Sequence, residues 1–318
     1  EGKVCLFEPV SQFYVQELQE ECTFLNALDR KVYARERLIN GIGSQEPAVP
    51  ETLMAEAAAF TDTAFIIISR YSCEKYERSA RPDGGDFYLS VQEQDMVRRV
   101  REHFAHIVII LNVGGIMDVS WFADNPAIEG ALLAWQSGME GGLAVADVLC
   151  GDITPSGKLT DTFARSYSDY PSAAGFMESD DYVNYTEDIY VGYRYFETIP
   201  GAAHKVIYGF GYGLSYTSFA ISAVRQENQG TSFTVSCTVT NTGKTAGKEV
   251  IQIYAQAPQG ILGKPARELA AFAKTELLQP GGSQTLTMAF DLTQIASYDD
   301  LGKLQKSAFL LEAGTYAI

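Results

Sequence analysis

Two short apolar runs set apart by helical patterns constrain the fold of the first half of the chain. Ala64–Ile68 is wholly apolar and Ile107–Asn112 is apolar up to its last residue, which is typical of buried parallel strands. Helical patterns cover Glu51–Phe60 and the residues after Ser90, whose spacing to Glu93 predicts a capping box. Strands that alternate with helices predict an α/β domain with a mainly parallel sheet covered on both faces.

A dense polar segment follows the first of these runs. In open α/β sheets, reactive groups lie on loops just beyond the carboxyl ends of the strands. The residues alone leave two interpretations open, a functional site or a solvated crossing. The charged side chains of the segment are Glu74, Lys75, Glu77, Arg78, Arg81, Asp83 and Asp86.

The second half of the chain has a different hydrophobic pattern. Ser232–Thr240 alternates with period two and ends at the turn residues Asn241-Thr242-Gly243, while Glu249–Ala255 and Gln284–Phe290 alternate in the same way. Short strands with Gly and Pro turns predict a small antiparallel sandwich. We therefore divide the chain into an α/β domain (1–165), a connector (166–212) and a β-sandwich (213–318).

Composition excludes several classes of function. A net charge of −16 argues against nucleic acid and anionic membranes as partners. Five scattered cysteines without a CxxC pair indicate reduced thiols rather than disulfides or a zinc site. Three histidines without ligand spacing predict no metal centre, and nothing predicts a cofactor. We expect a cytoplasmic protein, with a removed leader as the alternative because the first residue is not Met.

Several longer motifs resemble one known family. SRYSCEKYERSARPDGGDFYLS, IVIILNVGGIMDVSWF, DIYVGYRYFET and YGFGYGLSYTSF are similar to the C-terminal half of family 3 glycoside hydrolases, which include the β-glucosidases. VTNTGKTAGKEVIQIYAQAP resembles the fibronectin type III-like domain that follows in many members. The resemblance implies a six-stranded, mainly parallel sheet between helices, followed by an immunoglobulin-like sandwich.

The resemblance also implies a missing part. In this family a (β/α)8 barrel carries the nucleophilic aspartate, in a Ser-Asp-Trp type context. The chain contains no Ser-Asp-Trp and no run of eight βα repeats. We therefore expect the nucleophile on a barrel in the same polypeptide or in a partner chain.

The resemblance assigns one catalytic residue in the polar segment. The family's acid/base glutamate lies two residues after the serine of a Ser-Gly-Glu-Gly-Tyr-Asp-Arg type motif, and this places it at Glu74, after Ser72. Glu77 falls on the motif's aspartate, for which we expect a structural role. Without the resemblance, Glu74 would be interpreted as a surface carboxylate paired with Arg78.

Three arginines are the candidate substrate-binding residues. Arg70, Arg78 and Arg81 could orient a sugar hydroxyl or the acid itself. The alternative, which we expect for at least two of them, is ion pairing with Glu77, Asp83 and Asp86.

Two further features admit more than one interpretation. Gly114-Gly115 after the second strand suggests a nucleotide site, but neither GxGxxG nor a Walker lysine is present. Trp121 and Trp135 could stack on sugars, although packing is the more common role for tryptophan. In the connector, we expect its aromatic residues to pack against neighbours, and Asp188 and Arg194 to form a buried pair.

Together these observations favour the acid/base-bearing part of a retaining β-glucosidase-type enzyme that hydrolyses β-linked glucosides or short oligosaccharides. The expected partners are this substrate and the barrel domain, in cis or in trans. The alternative is a non-catalytic carbohydrate-binding or scaffolding protein that has kept the fold.

Overall fold

A computed structural model of the chain describes residues 5–7, 48–70, 79–175, 178–179 and 181–318. For residues 5–7 only the backbone is described. The chain divides into two compact units, Glu1–Cys150 and Gly151–Ile318. None of the described helices is long and apolar enough to cross a membrane.

The first unit contains a parallel sheet with helices. Its strands are β1 (Cys5–Phe7), β2 (Thr63–Arg70), β3 (His106–Val113) and β4 (Gly130–Leu133), hydrogen-bonded in that order and all parallel. Its helices are α1 (Glu51–Phe60), α2 (Val91–His103), α3 (Ser120–Ala123) and α4 (Gly141–Cys150). The predicted parallel α/β architecture is confirmed, with four strands in the described part of the unit.

The two central strands form the core of this unit. Ile66 and Ile68 of β2 and Ile107 and Ile109 of β3 are fully buried. Removing their branched side chains from water stabilises the sheet by roughly 1.5–3 kcal/mol per residue. The continuous apolar runs in the sequence are thus explained by burial of both sheet faces.

Helix α2 begins at the predicted capping box. The Ser90 hydroxyl accepts a hydrogen bond from the Glu93 amide (3.1 Å), and the Glu93 carboxylate accepts one from the Ser90 amide (2.8 Å). These bonds satisfy two amides that the first helical turn leaves without helical partners. The start of α2 is therefore fixed just after the polar segment.

The second unit is built from antiparallel sheets. Its strands are β5 (Phe163–Ala164), β6 (Val206–Tyr208), β7 (Phe219–Gln229), β8 (Ser232–Asn241), β9 (Val250–Ala255), β10 (Glu268–Lys274), β11 (Ser283–Asp291), β12 (Ser297–Asp299) and β13 (Ala308–Leu310). One sheet has the order β11-β8-β7, and β10 and β9 form a second. Small two-stranded pairs join β5 with β6 and β12 with β13.

Alternating side chains from the two larger sheets meet in the sandwich core. Val239 and Leu286 pack with Ile251 in one cluster, while Val235 and Phe290 lie in a second. The burial pattern of β8 alternates along the strand, as its period-two sequence predicts. The predicted antiparallel sandwich is confirmed.

The predicted connector packs within the second unit. Its helix α5 (Tyr193–Thr198) buries Tyr193 and Phe196. In contrast, Tyr182 and Tyr185 are 57% and 90% exposed, so only part of the aromatic series is used for packing. The two compact units divide after Cys150 rather than at residue 165.

The prediction that Asp188 and Arg194 form a buried pair is wrong. Asp188 is exposed and has a positive φ of 49°. Arg194 pairs instead with Glu268 of β10, at 3.5 Å between Nη2 and Oε1. Asp188 therefore serves the turn, where Asp tolerates the left-handed region better than most residues.

Candidate functional site

The candidate site lies at the carboxyl edge of the parallel sheet. The register of β2 and β3 pairs Arg70 with Val113, so the two strands end side by side. Residues 71–78 follow β2 and lie outside the described residues, and with them the predicted Glu74 and Arg78. The described parts of the site are Arg70, the segment Ser79–Ser90 and the residues after β3.

Arg70 is held at the end of β2 by five hydrogen bonds. Its Nη1 and Nη2 each lie 2.8 Å from a Glu93 carboxylate oxygen, in a bidentate pair. Nε donates to the Asp86 carbonyl (2.7 Å), Nη1 also donates to the Ser69 carbonyl (2.8 Å), and Nη2 makes a long contact with the Tyr88 carbonyl (3.5 Å). A guanidinium has five N–H donors, and all five are engaged.

This geometry argues against direct substrate contact by Arg70. The Arg70 and Glu93 side chains are only 6% and 4% exposed, and no N–H of Arg70 is left for a sugar hydroxyl. The pair instead joins the end of β2 to the start of α2, and through two carbonyls to the intervening turn. Arg70 is therefore a positioning residue for the polar segment.

The turn after the undescribed residues is closed by local hydrogen bonds. The Ser79 amide donates to Asp86 Oδ2 (2.6 Å), and the Ser79 carbonyl accepts from the Phe87 amide (3.1 Å). Gly85 and Asp83 adopt positive φ values of 75° and 60°. Residues 71–78 thus begin and end at segments, β2 and this turn, that are tied to each other through Arg70.

Arg81 and Asp83 differ in their surroundings. Arg81 is exposed, and its amide donates to Ser79 Oγ (3.2 Å). Its role in substrate binding stays a prediction. Asp83, for which the sequence predicts an arginine partner, accepts a hydrogen bond from the Gln94 side-chain amide at 2.6 Å.

A cavity of about 260 Å³ opens beside this turn. It is bounded by the turn, by the first residues of α2 and by the loop after β3. Trp121 on α3 is fixed by a hydrogen bond from its Nε1 to the Asp118 carbonyl (3.0 Å). Among the described residues, the lining consists of Pro82, Asp83, Tyr88, Leu89, Gln94, Asp118 and Trp121.

Only one of the two tryptophans that were predicted as possible sugar-stacking residues lines the cavity. Trp121 lines it, whereas Trp135 lies at the end of β4 with a positive φ of 54° and is not part of the wall. Asp118 and Gln94 were missed in the sequence analysis. Asp118 lies in the motif IVIILNVGGIMDVSWF, but no neighbouring residue there indicates a site, and Gln94 belongs to no motif. Glu93 was recognised only as a helix cap, since its pairing with Arg70 spans 23 residues.

The described residues contain no group of three or more His, Cys, Asp and Glu side chains that could hold a metal ion. The described wall of the cavity presents carboxylates, an amide and aromatic rings. This set suits recognition of hydroxyl groups and saturated rings.

Comparison with known proteins gives two matches along the chain. Residues 14–216 match the glycosyl hydrolase family 3 C-terminal domain. Residues 249–318 match a fibronectin type III-like domain.

Relatives that are named β-glucosidases match over most of the chain. Beta-glucosidase A from Butyrivibrio fibrisolvens is 50% identical over 307 residues, which covers 86% of this chain and 37% of the relative. A β-glucosidase structure from Paenibacillus barengoltzii is 40% identical with a TM-score of 0.84, covering 98% of this chain and 38% of that one. β-Glucosidase 3B from Thermotoga neapolitana, in complex with α-D-glucose, is 36% identical with a TM-score of 0.80, covering 93% and 46%. The chain thus spans less than half the length of these relatives.

Proposed function

Because the chain belongs to glycosyl hydrolase family 3, we propose that it forms the acid/base-bearing part of a retaining β-glucosidase. In this proposal Glu74 is the general acid/base, and the nucleophile lies on a barrel domain outside the chain. The substrates are β-linked glucosides or short oligosaccharides, in keeping with the β-glucosidase names of the relatives.

The buried bidentate ion pair between Arg70 and Glu93, which we call the clamp, is the observation that supports this proposal most directly. Glu74 follows Arg70 by four residues in the sequence. Arg70 itself ends β2 at the carboxyl edge of the sheet, where α/β proteins place reactive groups. A buried ion pair at the last residue of a strand restricts the backbone direction of the segment that follows the strand. General acid catalysis needs such restriction, because the acid must lie within hydrogen-bond reach of the oxygen that it protonates.

The share of each relative that lies outside the chain supports the second part of the proposal. The chain covers 37% of the Butyrivibrio enzyme, so most of that enzyme has no counterpart here. A retaining glycosidase needs two carboxyl groups about 5–5.5 Å apart. One of them is Glu74, and the other belongs to the part of the enzyme that this chain does not include.

The reaction proceeds by double displacement. The external carboxylate attacks the anomeric carbon while Glu74 donates its proton to the glycosidic oxygen, and the bond between that carbon and oxygen breaks. The leaving group departs as an alcohol, and the sugar stays on the nucleophile as an ester. Glu74, now a carboxylate, takes a proton from water, whose oxygen attacks the anomeric carbon and releases the nucleophile.

The test is Glu74→Gln in the complete enzyme that contains this chain and its barrel. We expect activity on cellobiose to fall by about 10²–10⁴-fold, because an alkoxide is a poor leaving group without a proton donor. The loss should be smaller on 2,4-dinitrophenyl β-glucoside, whose leaving group needs no proton. A non-catalytic carbohydrate-binding protein would instead show no dependence of any activity on Glu74.

Glu77→Gln is the matched control, since it makes the same change three residues away. It should keep activity within a few-fold of the unmodified enzyme. A large loss in Glu77→Gln together with normal activity in Glu74→Gln would move the acid/base role to Glu77. The 318 residues alone should hydrolyse no aryl β-glucoside, and ordinary turnover by them would contradict the assignment of the nucleophile.

A further inference from the structure

We propose that the charge state of His103 determines how firmly the start of α1 is attached to the end of α2, so that this attachment weakens as the pH rises above neutrality. The residues that carry this inference all belong to the first unit, and all of them are described. It does not depend on the proposed function.

Two hydrogen-bond acceptors flank the His103 ring. Its Nδ1 lies 2.8 Å from the Arg99 carbonyl oxygen, and its Nε2 lies 2.9 Å from Glu51 Oε1. A neutral imidazole carries one N–H, and only the imidazolium donates from both nitrogens. Because a carbonyl oxygen and an ionised carboxylate can only accept, both bonds form only when His103 is positively charged.

The position of His103 favours the same charge state. It is the last residue of α2, where the helix dipole stabilises a cation. The described charged groups around its ring are Glu51 of α1 and Arg99 and Glu102 of α2. The bond to the Arg99 carbonyl, and then the nearby Glu51 and Glu102 carboxylates, raise the pKa of His103 above its ordinary value of 6.5, although burial opposes them.

Glu51 joins the two helices through both of its carboxylate oxygens. Its Oε2 accepts from Arg99 Nη2 (2.7 Å), while its Oε1 faces His103. Arg99 also donates through Nη1 to the Val49 carbonyl, just before α1. Arginine stays charged at every pH that a protein tolerates. His103 is therefore the member of this group whose charge changes near neutrality.

The start of α1 depends on this link because the helix has few other anchors. Its N-cap residue, Pro50, makes no side-chain hydrogen bond to the first turn, and Met54 is its one buried residue. A helix of ten residues is only marginally stable by itself. Weakening the bonds to Glu51 should therefore loosen the beginning of α1 before the rest of the unit.

The direction of the pH dependence follows from the two pKa shifts. The pKa of His103 is raised, so its contribution is complete below about pH 6.5 and is lost as the pH rises through the folded value. Hydrogen bonds from Arg99 and His103 lower the pKa of Glu51, so its contribution is present above about pH 4.5 and is lost as the pH falls through the folded value. The attachment is strongest between these limits.

NMR titration of the histidine rings in the 318-residue chain tests the charge state. The chain contains three histidines, so substitution to Gln assigns each signal. His103 should titrate above pH 6.5, and Glu51→Gln should lower its midpoint because the carboxylate charge is removed. Glu56→Gln, the same change at an exposed residue of α1, should leave the midpoint in place. A midpoint at or below 6.5 would overturn the proposal.

Hydrogen exchange tests whether α1 responds to that charge. The helical amides of α1 begin at Met54, which donates to the Pro50 carbonyl (3.1 Å). Their protection, corrected for intrinsic exchange rates, should be about two- to fivefold lower at about pH 8 than at about pH 6, the range for one charge at a helix terminus. His103→Gln should abolish this difference. His106→Gln, at a histidine that faces Glu129 instead, should retain it.

The exchange data decide between His103 and other groups. Equal protection at the two pH values in the unmodified chain would overturn the proposal, and so would a persistent difference in a folded His103→Gln variant. If His103→Gln does not fold, Glu51→Gln decides instead, because it weakens the link without changing the ring. An undiminished difference in Glu51→Gln would then contradict the role of His103.

Discussion

The Arg70 guanidinium meets the Glu93 carboxylate where both side chains are almost fully buried. Taking two charges out of water is costly, and only the close bidentate geometry and the added carbonyl bonds offset that cost. Removing one partner leaves the other charged group buried and unpaired. The pair is therefore more informative about the site's architecture than about the net stability of the protein.

Arg70→Met should destabilise the protein by about 3–5 kcal/mol, because it leaves the Glu93 charge without its partner. The double variant Arg70→Met, Glu93→Leu should recover a large part of this loss. Urea unfolding of the single and double variants measures the difference. Additive losses would show that the two side chains do not act as a pair.

Asp299 is a buried residue whose carboxylate accepts hydrogen bonds from backbone amides. It is almost fully buried and accepts hydrogen bonds from four successive amides at 2.7–2.9 Å, those of Gly302, Lys303, Leu304 and Gln305. Burial by itself raises the pKa of Asp299, but the four amides outweigh it and lower the pKa to about 2. Only the ionised carboxylate can accept all four bonds.

The stabilisation from Asp299 should therefore depend on pH. Its folded pKa of about 2 lies below the ordinary value of 3.8, so the contribution is complete above about pH 4 and is lost as the pH falls toward 2. Asp299→Asn should lower the melting temperature at pH 7, and by less at pH 2.5. Asp300→Asn, at the exposed neighbouring residue, is the control. A pH-independent difference for Asp299→Asn would contradict the account.

At the scale of single elements, sequence patterns predicted those strands and helices whose periodicity reflects burial. β2, β3, β8 and β11 bury apolar side chains in the pattern that their sequences show. β7 was missed because almost all of its residues are exposed, so no alternation appears. β10, with the sequence ELAAFAK, was missed because Glu, Leu and Ala favour helices and only the pairing with β9 overrides that preference.

The irregular part of β7 gives a prediction about backbone strain. The register between β7 and β8 shifts between Ser222 and Arg225, and Ala223 has a φ of 50° there. An alanine in the left-handed region costs roughly 1–2 kcal/mol. Glycine relieves that cost but loses about 0.5–1 kcal/mol through its more flexible unfolded state.

Ala223→Gly should therefore stabilise the protein by about 0.5–1 kcal/mol. Ala220→Gly is the matched control, since Ala220 pairs in regular register with Thr240, and it should destabilise by a similar amount. Thermal or urea unfolding measures both. Destabilisation by Ala223→Gly would mean that the positive φ is not strained at this bulge.

At the scale of the whole molecule, hydrophobic periodicity and turn residues were enough to predict an α/β unit followed by a β-sandwich. They did not predict where the second unit begins. Lys158 contacts Glu249 (2.9 Å) and the Gly213 carbonyl (2.9 Å), so residues before the predicted connector belong with the sandwich. Contacts between residues this far apart in the chain leave no trace in local composition.

Helix α5 is joined to the sandwich by several bonds. Arg267 binds Glu197 through two N–H···O bonds of 2.5 and 2.7 Å and lies 4.3 Å from the centre of the Tyr254 ring. The Tyr193 hydroxyl accepts a hydrogen bond from the Leu269 amide (2.8 Å). A sandwich without residues 151–212 would lose all of these contacts except the one between Arg267 and Tyr254.

The fragment 151–318 should therefore unfold cooperatively, whereas the fragment 213–318 should melt at a lower temperature. The reason is that the shorter fragment loses the contacts that Tyr193 makes with the Tyr254 ring and the Leu269 amide. Circular dichroism melting of the two fragments measures the difference. Equal melting temperatures would support the predicted division at residue 212 over the compact unit seen here.

The clamp at the root of the polar segment has a consequence for protein engineering. Residues 71–78 are bounded by a strand end and a turn that share one arginine, and that arginine is anchored 23 residues downstream. A transplant of the eight-residue stretch into another scaffold would leave its anchor behind. Chimeras between related enzymes should therefore exchange the whole block from β2 to the first turn of α2.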